Sequence, residues 1–354
     1  MRPVVVAVLL LALAACGRQP AEGAPEPGAA QAAAPKPQPP APVALQQRLD
    51  DLAETFPGEV GIAVMDVDAG WIAAHRGEDL FPQQSVSKTW VAITLLDKVD
   101  RGELGLNDQV VIRREDMSVF HQPISQQIGD FGYVTTLEDL LRRAMTDSDN
   151  TANDKIMRTV GGVEAVRETL AAKNLAGVKI FGEERYLQSR IAGLEWDPAW
   201  AGNASFKLLR ARMPRDRRDA AVKAYLADPV DGATPVGVAR ALARLHQGEL
   251  LSDASTARLL GMMADSVNGR RRLKGGLPAG WRLAHKTGTG QDWSGGTVGI
   301  NDVGLITAPD GKTYAIAVFI GQTREPTPRR LEFMQSVARA VVAHHQSEQA
   351  AAPS

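Results

Sequence analysis

The stretch Phe81-Pro82-Gln83-Gln84-Ser85-Val86-Ser87-Lys88 decides how the rest of this chain is read. It carries the pattern S-x-x-K at Ser85 and Lys88, and two later triplets complete it, Ser148-Asp149-Asn150 and Lys286-Thr287-Gly288. One such tetrad means little in 354 residues. All three in this order describe a serine activated to attack a strained or activated amide. A helix is expected from about Ser85 to Val99, and the partial positive charge at its start favours an oxyanion nearby. Lys88 lies one helical turn on, so its amine is expected to reach the serine hydroxyl. A lysine takes a serine proton only if burial or neighbouring positive charge keeps it neutral part of the time. Alone, the tetrad reads better as a serine cap beside a solvated lysine; the two triplets argue against that.

Each triplet has a chemical use. Ser148 can relay a proton to a leaving nitrogen, the Asn150 amide can hold a substrate carbonyl, and Asp149 is expected to brace the turn. Lys286 and Thr287 end an apolar strand and offer a cation and a hydroxyl to a substrate carboxylate. Gly288 is expected to let a ligand approach the backbone closely. Thr289 can donate its backbone N–H, with that of Ser85, to an oxyanion hole.

The ends of the chain read differently. Arg2, the apolar run Val4 to Leu13 and the sequence Leu13-Ala14-Ala15-Cys16 have the form of an export signal. Cys16, after small residues, has the form of a bacterial lipobox, in which the thiol is lipidated and becomes the mature N-terminus. The alternative is an ordinary secretory signal with an incidental cysteine. Gly17 in place of Asp fits sorting to an outer membrane, so a periplasm-facing anchored lipoprotein is expected. Residues 16–43 are Ala/Pro-rich and form an expected tether. A formal net charge of −1 without a recurring basic stripe argues against nucleic acid as a partner. The six histidines lack ligand spacing apart from an exposed-looking His344-His345 pair, so no metal or cofactor is expected. A monomer is expected.

Apolar residues at 45, 49, 52 and 56 have helical spacing; Val60 to Val67 alternates, turns at Asp68-Ala69-Gly70 and continues to Ala74 as a hairpin. Helices are expected over 137–145, 151–160, 163–172, 236–248 and 252–264. Strands are expected over 281–286, 299–307 and 314–320, and a closing helix over 331–344. Strands at both ends with helices between them imply an α+β, two-lobe fold: one antiparallel sheet built from both chain ends and flanked by helices, plus a helical lobe, with a cleft between. The division is 1–15 signal peptide, 16–43 tether and 44–348 catalytic domain, with 349–354 a disordered tail. Within the domain, 44–84 and 235–348 form the α/β lobe, and 85–234 the helical lobe with an insertion at about 189–231.

The three motifs, Phe81-Pro82, Asn150-Thr151-Ala152, Leu277-Pro278-Ala279-Gly280-Trp281 and Asn301-Asp302 together resemble the class A β-lactamases, over roughly residues 45 to 345. The resemblance implies that fold, hydrolysis of β-lactam amides through a Ser85 acyl-enzyme, and a glutamate that holds the deacylating water. Glu184-Arg185-Tyr186-Leu187-Gln188 is favoured for that loop, with Glu184 as base and Gln188 as its amide partner. Asp197 in Trp196-Asp197-Pro198 is the rival acid. Arg185 stands where the family has a proline that commonly follows a cis bond, Gln188 where it has Asn, and Gly182 where an arginine clamps the neck of the loop. About 34 extra residues follow; Arg210 to Tyr225 is charged and helical and should cover one side of the cleft. Arg272 either supplies the cation for a substrate carboxylate or belongs to a solvated basic turn. Phe120 or His121 is the expected aromatic wall. The family leaves the acylation base open between Lys88 and Glu184. An altered loop could instead give a slowly deacylating penicillin-binding or peptidoglycan-acting enzyme, and a lipoprotein binding module without chemistry is the alternative of another class.

Overall fold

The structure is a computed structural model that describes residues 38–201 and 205–351; the signal, Cys16 and most of the tether lie outside the described residues. Six strands form the main sheet: five in the order Ile72–His75, Gly58–Asp66, Thr313–Thr323, Gly296–Thr307 and Arg282–Thr289, and the short Asp292–Trp293, which also pairs with Gly296–Thr307. Every neighbouring pair is antiparallel. Side-chain alternation gives the sheet two apolar faces. Ile62, Val64, Ile316, Val318 and Ile320 face the terminal helices Val43–Thr55 and Thr327–Ala351, which bring Leu49, Phe333 and Met334 to the same core. Ala63, Ala315, Ala317 and Phe319 point the other way, toward the helix Pro235–His246 and the helical part of the chain.

The helix Lys88–Asp100 runs through the middle of that second core, with Lys88 to Leu96 all buried. A helix apolar on all sides has to be enclosed by protein. Each large side chain such as Trp90, Leu95 or Leu96 contributes about 1.5–3 kcal/mol by burial, so the start of this helix is a rigid platform. Ser85 itself lies one turn earlier than expected of a helical residue, in the 3₁₀ turn Gln84–Ser87. Asn301 ties that turn to the sheet by donating its side-chain amide to the carbonyls of Pro82 (2.7 Å) and Gln83 (2.9 Å).

Several expectations are corrected. The strand expected over 281–286 runs further, over Arg282–Thr289, and carries Lys286-Thr287-Gly288 at its end, paired with Gly296–Thr307 all the way. Gly288 is small for an internal reason, because a Cβ there would meet the Gln83 carbonyl oxygen at 2.4 Å, on the side of the Ser85 turn. The His344-His345 pair is not exposed; His345 is buried and lies 3.2 Å from the Tyr314 hydroxyl. The last helix reaches Ala351, inside the stretch expected as a tail.

The insertion forms two helices, Ser205–Arg212 and Arg215–Ala227, broken at Pro214, which cannot continue the first. Val222 and Tyr225 pack on Leu187, Ile191 and Val298, and Phe206 packs on Val119 and Ala192. The added helices therefore sit against the Glu184 segment and beside the Phe120 loop.

Candidate active site

A cavity of about 430 Å³ opens where the sheet edge meets the helical part, and Ser85, Ser148, Asn150, Glu184, Gln188, Thr287 and Thr289 line it. Phe120 and His121 line it as well, so both candidates for the aromatic wall are in place. Three separate motifs and the loop glutamate thus converge on one space.

Lys88 is fully buried, and its amine donates to the Ser148 carbonyl (2.7 Å) and to Asn150 Oδ1 (2.5 Å), with Ser148 Oγ at 3.3 Å and Glu184 Oε1 at 3.7 Å. Among the described residues no hydrogen bond joins it to Ser85. An ammonium has three donors, and these acceptors occupy them. Burial lowers the Lys88 pKa, against the opposing pull of Glu184, Asp149 and Asp154. Lys286 donates to Ser148 Oγ (2.9 Å), and burial together with the Lys88 charge pushes its pKa well down. Ser148 holds a left-handed backbone, φ 63°, which turns its hydroxyl between the two amines. Asp149 braces this turn as expected, accepting from the backbone N–H of Ile124 (2.6 Å) and Ala152 (2.9 Å). Asn150 donates from Nδ2 to the Val119 carbonyl (2.8 Å). One N–H of that amide remains for a ligand.

Glu184 opens the helix Glu184–Ile191 and is buried. Its Oε2 accepts from Gln188 Nε2 (3.2 Å), one helical turn on, while Oε1 is buried without a hydrogen-bond partner. Asp197, the rival acid, is exposed and caps its own turn at Ala199 N (2.8 Å), away from the cavity lining. Among the described residues no peptide bond is cis. The loop is held by other means: Asp154 Oδ1 accepts the Glu184 N–H (2.7 Å), and Arg185 Nη1 donates to the Glu115 carbonyl (3.0 Å). The longer Gln188 side chain is used in full, bonding Gln84 Oε1 (3.0 Å) and accepting from Gln291 Nε2 (2.9 Å).

At the neck of the loop Gly182 offers no clamp. Asp231 accepts instead from the Tyr225 hydroxyl (2.7 Å) and the Gln84 backbone N–H (3.0 Å), and Tyr225 in turn accepts from Gln84 Nε2 (2.7 Å). Burial pushes the Asp231 carboxyl up to about 6. Arg272 is not a solvated turn residue: it donates to the carbonyls of Gly288 (2.9 Å) and Asn301 (2.6 Å) and to Thr289 Oγ1 (2.6 Å). Gln84, Asp154, Tyr225, Asp231, Gln291 and Arg210 were not among the expected site residues. Asp154 lies one turn after Asn150 on the same helix, Gln84 directly precedes Ser85, and Arg210 and Tyr225 bound the stretch expected to cover the cleft.

Asp154 makes a prediction possible. Burial, with Glu183 and Glu184 beside it, pushes its carboxyl up to about 7. The folded chain thus holds this proton more tightly than the unfolded chain, in which an aspartate titrates near ~3.9. Its stabilising contribution is complete below about pH 4 and is lost as pH rises through about 7. Thermal melts should therefore show a fall in Tm between pH 5 and pH 8 that is smaller in Asp154→Asn. Equal falls in both proteins would refute the assignment.

The chain belongs to the β-lactamase enzyme family, whose profile matches residues 44–345. It is 24% identical to the β-lactamase VEB-1 of Pseudomonas aeruginosa, over 83% of this chain and 88% of that protein. Its fold resembles that of a β-lactamase from Chitinophaga pinensis, with a TM-score of 0.71 and 27% identity over 85% of this chain and 99% of the other. An ancestral class A β-lactamase superposes with a TM-score of 0.69 at 27% identity, over 85% and 99% of the two chains. The α+β two-lobe architecture is that of the class A serine β-lactamases, and the chain is a member of that class.

Proposed function

We propose that this chain hydrolyses the amide bond of β-lactam antibiotics by way of an acyl-enzyme on Ser85. The observation that carries the proposal is the convergence of Ser85, Ser148, Asn150, Glu184, Thr287 and Thr289 on one cavity, with the Lys88 and Lys286 amines meeting at Ser148 behind it. Ser85 Oγ attacks the lactam carbonyl while its proton passes to Lys88 or, through a water, to Glu184. The negative oxygen that forms is held by the backbone N–H groups of Ser85 and Thr289. As the C–N bond breaks, the nitrogen takes the Ser148 hydroxyl proton, which the neighbouring amines replace. Glu184, whose Oε1 has no hydrogen-bond partner, then removes a proton from water, the hydroxide attacks the ester, and that proton passes to Ser85 Oγ as the ester bond breaks. Arg272, Thr287 and Thr289 receive the ring carboxylate at the Lys286 end of the cavity.

The test is to mix the full-length protein with a chromogenic cephalosporin and count product per enzyme. Many equivalents are expected. One equivalent followed by a stop would make it a slowly deacylating penicillin-binding enzyme, and neither product nor adduct would leave a binding module. We further propose a monomer tethered through a lipidated Cys16 and facing the periplasm, on the strength of Val4 to Leu13 and Leu13-Ala14-Ala15-Cys16. Labelled palmitate that enters the wild type and Cys16→Ser equally would reject the anchor.

A further inference from the structure

The inserted helix Ser205–Arg212 brings one side chain into the cleft: Arg210 lines the same cavity as Ser85. Its Nε donates to Gln291 Oε1 (2.6 Å) and its Nη2 to the Asp292 carbonyl (2.7 Å), while the guanidinium carbon lies 6.0 Å from the centre of the Phe120 ring. Gln291 and Asp292 follow directly on the Lys286-Thr287-Gly288 strand, and Phe120 comes from the opposite wall, so Arg210 spans the cavity mouth. Nη1 has no hydrogen-bond partner, and no carboxylate forms an ion pair with Arg210, among the described residues. Burial, and then the charge of a second insertion guanidinium, Arg218, lower the Arg210 pKa; the buried Arg218 Nε is likewise without a partner. The Asp292 carboxylate accepts from the Thr297 hydroxyl (2.5 Å) and forms no ion pair with Arg210, though its charge still partly offsets that lowering.

Cationic side chains thus flank the cavity in two places, with Arg210 on its lining and Lys286 and Arg272 behind it. Lys286 and Arg272 stand at one, beside Thr287 and Thr289; Arg210 stands at the other, beside Gln291. A bicyclic lactam with its ring carboxylate at the first and its carbonyl at Ser85 must direct its acylamino side chain to the second. A half-buried guanidinium with spare donors there favours an anion by a charge-assisted hydrogen bond. We propose that Arg210 is a specificity-determining residue that selects β-lactams carrying a carboxylate on the acyl side chain, a proposal that rests on the lactamase reading of the same cavity.

The probe pair is benzylpenicillin and carboxybenzylpenicillin, which differ by that one carboxylate. The readout is the ratio of their kcat/KM values, in which general damage to the site cancels. Arg210→Gln, which removes the charge, should shift the ratio about ten-fold against the carboxylated substrate, the loss of one hydrogen bond to a charged group. Arg210→Lys should keep most of the preference. In the wild type, raising salt from about 0.05 M to about 0.5 M should narrow the ratio by screening, which serves if the Gln variant does not fold. A ratio that neither substitution nor salt moves, or one that Lys and Gln change alike, overturns the proposal while the lactamase reading stands. If the wild type opens neither penicillin, the lactamase reading fails and this selectivity fails with it.

Discussion

Ser85→Ala removes lactam opening, with an expected fall in kcat/KM of at least about 10⁴-fold, the scale on which serine hydrolases lose activity with their nucleophile. The substitution deletes one oxygen from a half-buried position on the 3₁₀ turn Gln84–Ser87. The turn keeps its anchors, because Asn301 still holds the Pro82 and Gln83 carbonyls, Trp90 Nε1 still donates to Gln83 Oε1 (2.6 Å), and Asp231 still accepts the Gln84 N–H. The Tm should therefore stay close to that of the wild type. Hydrolysis of a chromogenic cephalosporin by Ser85→Ala at the wild-type rate would discard the mechanism.

Glu184→Gln separates the two halves of the reaction. Its amide keeps the shape of the side chain and the backbone bond to Asp154, but offers no base to water. Ring opening should persist as a rapid burst of about one equivalent, followed by a steady state slowed by about 10²–10⁴-fold, the usual cost of a missing general base. The substitution also removes the carboxylate 3.7 Å from Lys88, so the burst itself tests the acylation base. A burst as fast as in the wild type assigns that proton to Lys88; a burst slowed along with the steady state assigns it to Glu184. Glu184→Gln that turns over like the wild type would leave the deacylating base elsewhere.

What the sequence made legible follows from how local each signal is. The motifs at Ser85, Ser148 and Lys286 are short, and the structure brings them together around one cavity. The alternation of Val60 to Val67 reported a sheet strand, and the helical spacing at 45, 49, 52 and 56 the helix that packs on it. Glu184 and Gln188, four apart, were readable as a pair even though their helix was not foreseen. Gly288 was legible as a glycine but not for its reason, since the Gln83 carbonyl that crowds it is distant in sequence. The same holds for Gln84, Tyr225 and Asp231, which meet at the neck of the loop from two ends of the helical region. Lys88 was expected at the serine hydroxyl; buried carbonyl, amide and carboxylate oxygens hold its amine instead, and no local pattern announces them.

The most direct measurement is peptide mapping by mass spectrometry of Glu184→Gln protein mixed with benzylpenicillin. The opened lactam should be found as an ester on Ser85, persisting for minutes in the variant and turned over to free product in the wild type. An adduct on another residue, or one equally persistent in the wild type, would contradict a hydrolase in which Ser85 forms the ester and Glu184 drives its release.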